Sequence, residues 1–230
     1  MTIQEVHNTI LFYLNKEQNA FISHEEIDLV LDRAQQVLFN QYHTNPRLPA
    51  QAQAGLYGES QRIDDSLSPF KVKYDFVTST SPSGVVTLPT DYMHLISLYT
   101  RVYDSSLGRN VYSSVQVLAE DELIQRIESQ VIPMTSDDPI AIMNSANKIQ
   151  LFPNDPADGG VYYFRKPNTP KFNYTSSGRT ITFTSTGSVD LEWRDSDISN
   201  IVSIALSYLG LNLSSGDIMQ FAEAKIQTGQ

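Results

Sequence analysis

The chain contains no cysteine. That excludes disulfide cross-links, thiolate zinc centres and cysteine nucleophiles. It also lacks a basic segment. Against 16 Lys+Arg stand 26 Asp+Glu, a formal charge of −10, and each of the stretches 1–68, 69–193 and 194–230 holds more acids than bases. The phosphate-neutralising stripe of a nucleic-acid binder is therefore missing, although an acidic wall suits a passage through which DNA slides without sticking. No apolar run approaches the ~20 residues of a membrane span. Met1-Thr2-Ile3-Gln4-Glu5 lacks the basic and apolar regions of a signal peptide. The expectation is a chain that meets no membrane and is kept in a cytoplasm or in a particle assembled there. Catalytic signatures are lacking as well: no G-x-S-x-G, Walker A loop or G-x-G-x-x-G occurs.

What remains suits a folded protein. Hydrophobic residues make up 40% of 230 positions and charged residues 18%, enough to bury a core and too apolar for disorder. Ile3, Val6, Ile10 and Leu14 recur at helical spacing, and Asn15 to Asn19 breaks the pattern. Ser23-x-x-Glu26 is a capping box, followed by a stripe of Ile27, Val30, Leu31, Ala34, Val37 and Leu38. The short connection predicts an antiparallel helix hairpin over 1–43. Residues 44–67 hold Pro46, Pro49, Gly55 and Gly58, too long a connection for a compact domain. This segment is either disordered or an extended arm held by a neighbouring molecule. Its apolar Leu48, Leu56, Tyr57 and Ile63 suit the second alternative.

From 68 to 193 the period shortens to two. Phe70, Val72, Tyr74 and Phe76 alternate with Lys71, Lys73 and Asp75. Further strands are expected at 85–89, 93–103, 111–117 and 161–165, with a hairpin of 140–143 and 148–152. A short helix is expected after Glu120-Asp121-Glu122, where acids favour a helix start. Weaker strands fall at 172–174, 180–183 and 189–192. After Trp193-Arg194-Asp195-Ser196-Asp197, the residues Ile198, Ile201, Val202, Ala205 and Leu209 trace a helical face, with Gly210 expected as its cap. Ser214 or Ser215 can start a final helix carrying Ile218, Phe221, Ala222 and Ile226. The expected fold is α+β: an N-terminal helix hairpin, an arm or loop at 44–67, a β-rich, sandwich-like region at 68–193, and a C-terminal helix pair at 194–230 packing with the first helices.

The candidates for chemistry are thin. His7, His24, His43 and His94 are scattered, and His24-Glu25-Glu26 lacks the second histidine of a helical zinc motif. Asp155 to Gly160 fails the calcium-loop spacing and reads as a tight turn. Asp64-Asp65, Glu120-Asp121-Glu122 and Asp137-Asp138 read as turn residues and a helix start, although folding could bring two carboxylates together. The twelve tyrosines, mostly in strand-like stretches, read as sheet packing and interface material. No metal, cofactor or catalytic residue is expected.

One ordered block stands out: Val85-Val86-Thr87-Leu88-Pro89-Thr90-Asp91-Tyr92, then Lys148-Ile149-Gln150-Leu151-Phe152-Pro153, then Tyr162-Tyr163-Phe164-Arg165-Lys166-Pro167, then Trp193 to Asp197. Over roughly residues 85–230 it resembles the head-to-tail adaptor or tail ring proteins of short-tailed bacteriophages, most closely the crAss-like group. The resemblance implies a non-enzymatic virion protein of the neck or tail. It would form a ring, commonly of twelve copies, that connects the portal to the tail and extends the channel along which DNA is ejected. Its partners would be itself, the portal and other tail proteins, with DNA passing unbound. Expected contact residues for a neighbouring subunit or the portal are Leu48, Leu56, Tyr57, Ile63, Arg165, Lys166, Phe221 and Ile226. The alternatives are a β-rich tail fiber or binding module, and a virion-associated hydrolase built on the acid clusters.

Overall fold

The computed structural model describes residues 1–15, 22–44, 63–77, 84–127, 135, 138–145, 147–153, 158–178 and 180–212. The chain is mixed α+β and divides into two compact units, one formed by Met1–Pro69 with Pro167–Gln230, the other by Phe70–Lys166.

The first unit is built on helices α1 (Ile3–Asn15), α2 (His24–Thr44), α3 (63–67) and α5 (Asp195–Asn212). The expected stripes form its core. Ile3, Val6, Ile10 and Leu14 are buried from α1, Ile27, Leu31, Ala34 and Leu38 from α2, and Ile198, Ile201, Val202 and Ala205 from α5. Each fully buried Ile or Leu contributes about 1.5–3 kcal/mol of transfer free energy. Helix α2 lies along α5. The Ser23–Glu26 capping box closes in both directions: Ser23 N–H donates to Glu26 at 2.9 Å and Glu26 N–H to Ser23 Oγ at 3.2 Å. A second box that the sequence reading passed over, Thr2-x-x-Glu5, starts α1 in the same way. Trp193 packs edge-on to Phe39 and Tyr42, and the Tyr42 hydroxyl donates to the buried Asp197 at 2.9 Å. Gly210 does not end α5, which runs to Asn212 with Gly210 buried inside it. A small hairpin, β9 (Tyr174–Ser177) with β10 (Thr180–Phe183), belongs to this unit. The β-rich stretch 68–193 thus supplies strands to both units. The final helix expected beyond Ser214 lies outside the described residues.

The second unit holds two four-stranded sheets. One has the order β1 (Lys71–Val77), β8 (Asp158–Arg165), β3 (Tyr92–Asp104), β4 (Arg109–Ser114), all antiparallel. The other has the order β2 (Val85–Thr87), β7 (Lys148–Phe152), β6 (Ile140–Ser145), β5 (Gln116–Val117), with β5 parallel to β6. Helix α4 (Glu120–Ile127) follows β5. Phe76, Leu98, Val161 and Tyr163 from the first sheet share one buried cluster with Val86, Ala141, Ile149 and Leu151 from the second. That is the period-two burial expected when two sheets share a core.

The expectation of a turn over Asp155–Gly160 is corrected at its end. Strand β8 begins at Asp158, and Gly159 and Gly160 sit inside it, paired with Phe76 and Asp75 on one side and Thr100 and Tyr99 on the other. They are glycines for space rather than for turning. A Cβ on Gly159 would stand 2.2 Å from the Tyr99 carbonyl oxygen and 2.6 Å from the Phe76 ring. One on Gly160 would stand 2.4 Å from the Tyr99 hydroxyl.

Candidate functional site

Several motif residues of the ordered block are used internally. Leu88, Ile149 and Leu151 are buried. Asp91 accepts the Tyr163 hydroxyl at 3.0 Å, and its main-chain carbonyl accepts Lys166 N–H at 2.7 Å. The Leu-Pro-x-Asp-Tyr turn and the Tyr-Tyr-x-Arg-Lys-Pro strand are therefore two halves of one fastening. Burial, with the Asp91 hydrogen bond second, pushes the Tyr163 phenol up to about 12, since both favour the neutral form.

The candidate site is the outer face of the β1-β8-β3-β4 sheet. Register places Lys73, Tyr162, Tyr99 and Tyr112 on one side of four adjacent strands, with Asp75, Gly160, Asp158, Arg101 and Tyr103 on the same side. The Tyr99 ring lies 5.9 Å from Tyr112 and 6.1 Å from Tyr162, tilted to both. The flat passage over Gly160 is what lets Tyr99 lie there. Charges on this face are mutually satisfied. Lys73 pairs with Asp75 at 3.0 Å and sits 5.8 Å over the Tyr99 ring, Tyr99 donates to Asp75 at 3.3 Å, and Arg101 pairs with Asp158 at 3.4 Å. The hydrogen bond to Asp75 raises Lys73 and the same bond lowers Asp75. Both groups are exposed, so these pairs position side chains more than they stabilise the fold.

The face continues along the β3–β4 hairpin. Beyond Arg101, β3 pairs only with β4 among the described residues. There Tyr103, Leu107 and Tyr112 are 66%, 56% and 63% exposed. A second apolar surface lies on α4, where Ile124 and Ile127 are 61% and 48% exposed beside Glu120. Such surfaces offer stacking and apolar contact to another macromolecule. They hold no nucleophile paired with a base.

The acids are spread out. Asp64 and Asp65 lie on α3, with Asp65 3.5 Å from Arg194. Glu120, Asp121 and Glu122 are exposed on the first turn of α4, Asp138 pairs with Arg126, and Asp158 pairs with Arg101. Asp137 and Asp155 lie outside the described residues. A cleft of about 100 Å³ between α1 and α5 is lined by Thr9, Tyr13, Ser199, Val202 and Ser203, with no acid on its wall.

In the first unit, folding collects two of the four scattered histidines. Buried His7 meets His24 at 3.1 Å (Nδ1 to Nδ1) and Asp28 at 2.9 Å through Nε2, while Phe172 N–H donates to both Asp28 oxygens. With Nε2–H donating to Asp28, His7 accepts at Nδ1 and His24 donates. Both imidazoles stack on Phe172, and Tyr174 donates to Glu25. Burial, then the neighbouring His7, lowers His24 below the usual histidine value. Among the described residues, no group of three or more His, Cys, Asp or Glu is placed to hold a metal, and no helix is long and apolar enough to cross a membrane.

Of the expected contact residues, Ile63 is partly buried on α3 and Lys166 is exposed. Arg165 is partly buried, its guanidinium 5.6 Å over the Phe70 ring and bonded to the Lys166 carbonyl at 3.3 Å. Leu48, Leu56, Tyr57, Phe221 and Ile226 lie outside the described residues. Tyr162 belongs to the ordered block, but nothing in the sequence singles out Tyr99, Tyr103 or Tyr112 as its neighbours. The alternation Tyr99-x-Arg101-x-Tyr103 was the available signal for one face.

Compared with known proteins, the chain matches no family model and no curated protein sequence.

Proposed function

We propose that this chain is a non-enzymatic structural protein of a phage virion, assembled in the host cytoplasm into a ring in the neck or tail. The ring seats between portal and tail around the channel for DNA, and twelve copies is the number the resemblance implies. The observation that carries the proposal is the pair of exposed apolar surfaces on the second unit, the β3–β4 hairpin and α4. Contiguous exposed aromatic and aliphatic side chains mark interaction surfaces, and a ring needs two different ones on each subunit. The acidic balance of the chain suits a wall that DNA passes without adhering. The finer architecture belongs to the proposal: an α1–α2 hairpin, a second helix after α5, and an arm that orders on a neighbour, its expected range of 44–67 shortened because residues 63–67 already form α3.

Native mass measurement and negative-stain imaging, alone and with portal protein, test it. The expected result is a closed ring, with portal binding at one end. Protein that stays monomeric and binds neither portal nor tail proteins would defeat it. A second reading, a fiber or binding module, draws on the Tyr99–Tyr112–Tyr162 ladder, and a trimer by mass would favour it. For a hydrolase, the α1–α5 cleft offers no carboxylate on its wall.

A further inference from the structure

We propose that the tip of the β3–β4 hairpin of one copy docks on α4 of the next copy. This rests on the self-assembly just proposed and specifies the surfaces that meet.

The two surfaces differ in the way partners should. On the hairpin, Leu107 is exposed in the turn just before the exposed Arg109, which stands opposite Asp104 on one face of the ribbon, while Tyr103 and Tyr112 are exposed on the other face. Arg109 makes no hydrogen bond or ion pair among the described residues, whereas the hairpin's one acid, Asp104, is occupied. It accepts Ser106 N–H, Ser106 Oγ–H and Leu107 N–H, and these bonds hold it below the usual carboxylate value. On α4, Glu120, Ile124 and Ile127 fall at i, i+4 and i+7, one helix face. Ile124 and Ile127 are exposed, and Glu120, with its neighbours Asp121 and Glu122, has no ion pair among the described residues. The one base of α4, Arg126, is bound to Asp138. At the tip an arginine without an ion pair stands beside the exposed Leu107, and on α4 a glutamate without one stands beside two exposed isoleucines, so the two spots complement each other in charge and in apolar character.

The high exposure of both surfaces shows that neither covers the other within one copy. The strand from Arg109 to Ser114 also carries the chain about 20 Å from the tip before it turns toward α4. The contact therefore joins two unlike patches. Repeated around an axis, such a contact closes a ring, and a second copy satisfies both surfaces at once.

A charge exchange tests this. Arg109→Glu and Glu120→Arg are made singly, with far-UV circular dichroism to verify folding, and self-association is followed by analytical ultracentrifugation across concentration. Each variant should weaken self-association by about tenfold or more, the scale of replacing an attraction by a repulsion across an interface. Mixed in equal amounts they should assemble again, because each then offers the charge the other lacks. Leu107→Asp, at an exposed turn, should weaken assembly and gain nothing from mixing. If the wild type assembles and either charge variant assembles as well as it does, or the mixture stays dissociated, the hairpin–α4 contact is wrong while the ring stands. If the wild type is monomeric at every concentration, ring and contact fall together.

Discussion

Tyr163→Phe removes one oxygen from the fastening between the Asp91 turn and β8. Tyr163 is 2% exposed and its hydroxyl donates to a carboxylate at 3.0 Å. A hydrogen bond to a charged group contributes about 1.5–3 kcal/mol. Asp91 is partly exposed, so water can take the vacated position, which places the cost near 2 kcal/mol. The same bond predicts an alkaline signature. The native phenol is pushed up to about 12 against about 10 in the unfolded chain. Below pH 10 both states are neutral and the contribution is whole. Between pH 10 and 12 the unfolded chain loses its proton first, so the native state binds more protons and stability falls as pH rises. At pH 11 that loss is about 1.4 kcal/mol, from one pK unit of differential ionisation. The variant lacks this group, while every other ionisation is common to both proteins. Urea denaturation should therefore show the variant about 2 kcal/mol less stable at pH 7, with the gap closing to about 0.6 kcal/mol at pH 11. A variant within 0.5 kcal/mol of wild type at pH 7, or a gap that stays constant to pH 11, would refute the role given to Asp91 and Tyr163.

Two further predictions separate local from tertiary causes. Gly159→Ala should cost about 3 kcal/mol or more, because its Cβ meets the Tyr99 main-chain oxygen, which cannot retreat without breaking the sheet. Gly160→Ala should cost about 1 kcal/mol, because only the Tyr99 ring has to swing outward. Equal costs by chemical denaturation would contradict that distinction. For the histidine cluster, the native pKa of His24 lies below the unfolded value of about 6.5. Below that pH the unfolded chain binds more protons, so stability falls as pH drops from about 6.5 toward the native value. The melting temperature of the wild type should decline more steeply between pH 7.5 and 5 than that of His24→Gln, and parallel slopes would remove His24 from the account.

Much of the helical and strand content was legible because its cause is local. The stripe of Ile27, Leu31, Ala34 and Leu38 comes from a 3.6-residue period, and the Ser23–Glu26 box needs only residues three apart. The outer-face site was legible in half. Alternation puts Tyr99, Arg101 and Tyr103 together, but nothing in the sequence says that Tyr112 and Tyr162 come alongside. Gly159 and Gly160 misled because Asp-Gly-Gly resembles a turn. Their reason for being glycine is the approach of Tyr99 and Phe76 from other strands.

The sequence by itself determined most of the helices and strands, though not α3 or the start of β8, and that the chain carries neither thiols nor a basic stripe, since each depends on residue identity or on neighbours within a few positions. The tertiary structure alone decided that Tyr163 answers Asp91, that His7 meets His24 and Asp28 beneath Phe172, and that a tyrosine ladder faces outward on one sheet. Those are contacts across as many as 144 residues, set by strand order and register, which no local period encodes.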